Sequence, residues 1–122
     1  MLLLAALISA PALAVSPFEG QYQGRGEGRL QLRVFEVGDG TGAHFIIAET
    51  AIPNACTGEL IGMGRPSGAG VLILHQTDSD ADEVCTLTLR FSPDGKRVRM
   101  TPQGCGYFHG TSCDFDGELS RR

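Results

Sequence analysis

CTLTLRFSPDGKRVRM, residues 85–100, reads as a β-hairpin and sets the class of the whole chain. Cys85, Leu87, Leu89 and Phe91 alternate with Thr86, Thr88 and Arg90, the two-residue period of a half-buried strand. Ser92-Pro93-Asp94-Gly95 puts Pro second and Gly fourth, as a type I turn favours. Beyond it Val98 and Met100 return on the apolar face, with Arg97, Arg99 and Thr101 on the other. A four-residue turn predicts Arg90 opposite Arg97.

The same grammar extends in both directions. Val71 to Gln76 opens with four successive apolar residues, which predicts a central strand buried on both faces. MGRPSGAG, residues 63–70, reads as the loop before it, and Cys56 to Gly62 as the preceding strand. His44 to Thr50 is another, joined through Gly38-Asp39-Gly40 to Leu30, Leu32 and Val34. There the apolar phase shifts to Phe35 and Val37, as a β-bulge would shift it. Phe18, Gly20 and Tyr22 share one face of a first strand; Cys113, Phe115, Gly117 and Leu119 share one face of the last.

Those two strands echo each other: Phe18-Glu19-Gly20-Gln21-Tyr22 and Phe115-Asp116-Gly117-Glu118-Leu119 run aromatic, acid, glycine, polar, apolar. First and last strands that pair would close the sheet and remove its edges. No stretch after the N-terminus keeps a helical period. The expectation is an all-β fold, a small antiparallel barrel or barrel-like sandwich of about eight strands, stapled by disulfides.

The N-terminus reads differently. Met1 to Val15 is almost unbroken apolar and ends in the small-x-small sites Ala10-Pro11-Ala12 and Ala12-Leu13-Ala14. That run is shorter than the about 20 residues a membrane span needs. It matches a cleaved secretory signal peptide, residues 1–14, leaving 15–122 as a single domain. The expected location is the periplasm or the extracellular medium, with no stable membrane anchor.

Export bears on the four cysteines, Cys56, Cys85, Cys105 and Cys113. In an oxidising compartment an even set pairs, and four cysteines allow three connectivities. The favoured one is Cys105–Cys113 with Cys56–Cys85. The first closes GCGYFHGTSC, residues 104–113, whose glycines let it bend. The C-x3-H-x3-C spacing inside it matches no standard zinc motif, so no metal and no cofactor is expected.

Fourteen acidic against ten basic residues give a net charge of −4, which argues against a nucleic-acid binder. Asp78, Asp80 and Asp82 alternate in a loop, but an EF-hand needs Gly at its sixth position and Glu at its twelfth, and here stand Glu83 and Leu89. The loop instead suits contact with a basic protein. Arg90, Arg97 and Arg99 on the outer hairpin face suit an anion. Tyr107, Phe108 and His109 in the cysteine-bounded loop suit a preorganised contact. His44, His75 and His109 lie on separate segments, and no nucleophile motif occurs, so no catalytic residue is assigned.

The tail Gly104-Cys105-x-Tyr107-x-His109-Gly110-x-x-Cys113-x-Phe115-x-Gly117 resembles the C-terminus of uncharacterised small exported bacterial proteins. In size, export and disulfide-tied β character the chain also resembles the periplasmic lysozyme inhibitors. Its Ser67-Gly68-Ala69 is followed by Gly70 and Val71 rather than the basic and aromatic residues of the membrane-bound C-type inhibitors. These resemblances imply an exported non-enzymatic protein that binds an unidentified protein or small ligand of the envelope, with inhibition of a lysozyme-like hydrolase as the sharpest form. The alternatives are a small metal-binding or hydrolytic enzyme using His109 and nearby acids, and a structural envelope protein without a discrete site.

Overall fold

The structure, a computed structural model, describes residues 16–122; the expected signal peptide lies outside them. Eight antiparallel strands succeed one another around a closed barrel: β1 (Gly20–Arg25), β2 (Arg29–Glu36), β3 (His44–Ile52), β4 (Cys56–Pro66), β5 (Val71–Gln76), β6 (Cys85–Phe91), β7 (Arg97–Gln103) and β8 (Gly117–Arg121). β1 pairs with β8 across Gly24↔Leu119, so the sheet has no free edge between first and last strands. Leu30, Leu32, Val34, Ile46, Leu60, Leu72, Leu74, Leu87, Leu89, Val98, Met100, Phe115 and Leu119 fill the interior. Eight strands leave room inside for little more than such side chains.

Glycine sets the closeness of the closure. A Cβ on Gly24 would run into the backbone carbonyl of Glu118, and one on Gly117 into Leu30 Cδ1. Both positions leave the room that the seam between β1 and β8 needs.

Several expectations are corrected. The hairpin turn forms, with Gly95 N–H donating to Ser92 O at 2.8 Å. Gly95 at φ +70° and Lys96, whose N–H donates to Asp94 Oδ1, lengthen the connection. Arg90 therefore stands opposite Arg99, not Arg97, and Arg97 faces Ser120 on β8. β2 carries no bulge: its pairing runs unbroken on both sides, and Phe35 and Val37 point to solvent. β4 continues to Pro66 through what reads as a loop. β5 buries Leu72 and Leu74 but only partly covers Val71 and Ile73, since just one of its faces meets the core.

The disulfides are Cys56–Cys113 and Cys85–Cys105, with Cα atoms 6.0 and 4.4 Å apart. The expected connectivity fails for a topological reason. Cys105 leaves β7 two residues after Gln103, which pairs with Thr86 next to Cys85. Cys113 instead lies on the crossing between β7 and β8. That crossing leans on β4 through Gly58↔His109 and Gly110 N–H to Thr57 O at 3.1 Å. Two such staples belong to an oxidising, extracytoplasmic environment. Among the described residues no helix is long and apolar enough to cross a membrane.

Candidate functional site

The Cys85–Cys105 bridge pins the exit of β7 to the entry of β6 and fixes the next turn of chain at that rim. Gly104 at φ +69° leads the chain into a short 3-10 turn, Gly106–Phe108. The turn separates the three residues that the sequence grouped. Tyr107 projects outward, 53% exposed, while Phe108 packs against the core.

His109 is built into the fold. Its Nδ1 lies 2.6 Å from Gly110 O, its Nε2 3.6 Å from Asp114 Oδ1, and its ring meets Phe115 edge-on at 5.4 Å. Its side chain is 12% exposed. The imidazole braces the crossing internally, while the His109 backbone bridges to Gly58 on β4.

The β5–β6 loop arrives at the same rim as Tyr107. Asp78 Oδ1 accepts the Asp80 N–H at 2.9 Å and Asp78 O accepts the Ala81 N–H at 3.0 Å, which rounds the loop into a compact tip. Asp80, Ala81, Asp82 and Glu83 then line a shallow depression of about 320 Å³ with Gly104, Gly106 and Tyr107. The negative charge of Asp78, and after it some loss of hydration and hydrogen bonding to Asp78 and Asp80, raises the Tyr107 pKa. Two separate sequence candidates, the acidic loop and the aromatic turn, thus form one surface. Glu83 joins it, and exposed Val84 comes directly after it in sequence.

Arg90, Arg97 and Arg99 all lie on the outside of β6 and β7, away from that rim, and Arg99 pairs with Asp116. Sequence reasoning missed two further features. Phe108 lines a groove of about 610 Å³ together with the small residues Ala51, Thr57 and Gly58 and the charged residues Arg29, Glu49 and Glu59. Phe35, Phe45 and Met63 stand side by side across β2, β3 and β4, each about two-fifths exposed. Strict alternation from Leu30 would have placed Phe35 outside.

The buried His44 holds the N-terminal segment: its Nε2 lies 2.5 Å from Ser16 Oγ and its Nδ1 2.8 Å from Gly42 O. The Gly42 carbonyl orients this ring. His75 is exposed on β5, with Nδ1 3.2 Å from Thr86 Oγ1. Among the described residues no group of three or more His, Cys, Asp or Glu converges to hold a metal ion. No family model, no curated relative and no solved structure matches this chain.

Proposed function

We propose that the chain is an exported, non-enzymatic binding protein of the periplasm or the extracellular medium, and that its acidic, aromatic rim receives a basic protein partner. The observation that carries this reading is the meeting of Asp80, Asp82 and Glu83 with exposed Tyr107 around one depression, on a loop tied down by Cys85–Cys105. Uniform negative charge steers a basic partner during encounter, and a held tyrosine supplies contact area at low entropic cost. A lysozyme-like hydrolase is such a partner, and its inhibition is the sharpest form of the proposal. The likeness of the C-terminal tail to small exported bacterial proteins agrees with this location.

The test is titration calorimetry of the oxidised protein against a basic lysozyme at low and at physiological salt. Saturable binding that weakens with salt is expected, with a loss of about tenfold or more in the D78N/D80N/D82N variant and in Y107A. Unchanged affinity in both variants, or no binding by the parent protein, would overturn the reading.

A further inference from the structure

We propose that the barrel carries a second, independent binding surface: a belt of arginines that docks a linear acidic polysaccharide bearing carboxylates along its chain. The belt arises from register. Arg29 on β2 stands opposite Arg25 on β1, Arg25 opposite Glu118 on β8, Glu118 opposite Arg99 on β7, and Arg99 opposite Arg90 on β6. Paired residues share a face, and all five side chains are exposed. Four arginines and one glutamate therefore form a single row across five neighbouring strands. At the spacing of strands in a sheet the row spans roughly 19 Å.

The fold neutralises this row only in part, through Glu118 standing between Arg25 and Arg99. Among the described residues only Arg99 of the four has an ion-pair partner, Asp116. Two of the four contacts in the row, Arg25↔Arg29 and Arg90↔Arg99, set like charges directly opposite, an arrangement that destabilises a sheet. The arginines project to solvent, so the core gains nothing from them. An anion laid along the row relieves both repulsions and offers each guanidinium a carboxylate that its fork can grip with two hydrogen bonds.

The next outward row identifies the class of anion. Two residues further along the same strands, Gln31 stands opposite Gln23, Gln23 opposite Ser120, and Ser120 opposite Arg97. Amides and a hydroxyl beside a line of arginines suit a chain carrying hydroxyls beside carboxylates, which describes a polyuronate. Single-stranded nucleic acid asks for exposed aromatic rings on which bases stack, and neither row contains one. A flat anionic membrane meets a row that bends around a barrel only near its tangent, whereas a flexible chain tracks the bend.

The experiment titrates the oxidised full chain with polygalacturonate, monitored by calorimetry. Neutral dextran, phosphatidylglycerol vesicles and a single-stranded oligonucleotide are run beside it. Expected is salt-sensitive binding to polygalacturonate that falls about tenfold in R25Q/R29Q and again in R90Q/R99Q. The R33Q variant, whose arginine lies off the belt and pairs with Glu49, keeps the parent affinity. So does D78N/D80N/D82N, which keeps this surface separate from the acidic rim. Near-UV circular dichroism and urea midpoints confirm that each variant is folded. The proposal is overturned if the combined variant R25Q/R29Q/R90Q/R99Q binds polygalacturonate like the parent, if the parent does not bind it, or if dextran, vesicles or oligonucleotide bind as tightly.

Discussion

Arg121 closes one end of the barrel over Tyr22. Its guanidinium carbon sits 4.9 Å from the centre of the Tyr22 ring, and its Nη2 donates to the Tyr22 hydroxyl at 2.7 Å. The same side chain donates to Pro17 O, Glu19 O and Gly95 O at 2.6, 2.6 and 3.0 Å. Three separate segments thus converge on one cation: the N-terminal lead-in, the hairpin turn and β1. The planar fork of arginine is what allows four acceptors to be met at once. R121A is expected to destabilise by about 3 kcal/mol, since it strands several acceptors and uncovers Tyr22. R121K keeps the charge but not the fork, and it should recover less than half of that loss. Urea midpoints measure both; an R121A protein as stable as the parent would show that the N-terminal segment holds without it.

The phenol of Tyr22 carries a pKa above its ordinary 10.0, because burial outweighs the opposing charge and hydrogen bond of Arg121. A raised folded-state pKa means that the contribution to stability is complete below the unfolded value and is lost as pH climbs through the folded one. Stability should therefore hold up to about pH 10 and decline above it. Tyr107 is shifted the same way by Asp78 but is exposed, so it should matter little. Urea midpoints between about pH 8 and about pH 11 test this. The alkaline decline is expected to flatten in Y22F and to persist in Y107F, and the opposite pattern would refute the assignment.

Most of the fold was legible because alternation is local. Cys85 to Met100 states its own strands and turn, and the matching first and last strands pointed to closure, which Gly24↔Leu119 supplies. What failed was whatever depended on counting across a turn or on packing between distant segments. Arg90↔Arg99 differs from the expected pairing because Gly95 and Lys96 lengthen the turn. Tyr107 and the Asp78–Glu83 loop are separated along the chain by β6 and β7, so their meeting at one rim was visible only once the Cys85–Cys105 staple was known. The arginine belt was half legible: Arg90 and Arg99 could be read from one hairpin, but Arg25 and Arg29 join them only through Glu118 on β8.

The two disulfides should differ in worth. Cys56–Cys113 spans 57 residues and Cys85–Cys105 spans 20. Loop-closure entropy alone then gives about 4 kcal/mol for the first and about 3 kcal/mol for the second. The C56S/C113S variant is expected to lose more stability than C85S/C105S. The shorter bridge, however, holds the Tyr107 turn, so C85S/C105S should weaken the proposed binding of a basic partner at the rim more than C56S/C113S does. Peptide mass mapping without reduction checks the connectivity first. A Cys105–Cys113 peptide would contradict the topology on which both expectations rest.

The seam between β1 and β8 should be the least forgiving place on the barrel. A methyl group at Gly24 meets the Glu118 carbonyl and approaches Leu119 Cα to 2.9 Å, and both obstacles are backbone that cannot rotate aside. G24A therefore has to push the closing strands apart, at a cost of about 3 kcal/mol. Gly106 is the matched control: nothing lies within 4 Å of its added Cβ and its φ is not positive, so G106A should change stability by less than about 0.5 kcal/mol. Hydrogen exchange adds a local reading. In G24A the amides of β1 and β8 should lose protection before those of β3, which lies between β2 and β4 on a continuous ladder. If G24A matches the parent protein in stability and in β1 protection, the glycine is not what lets the barrel close.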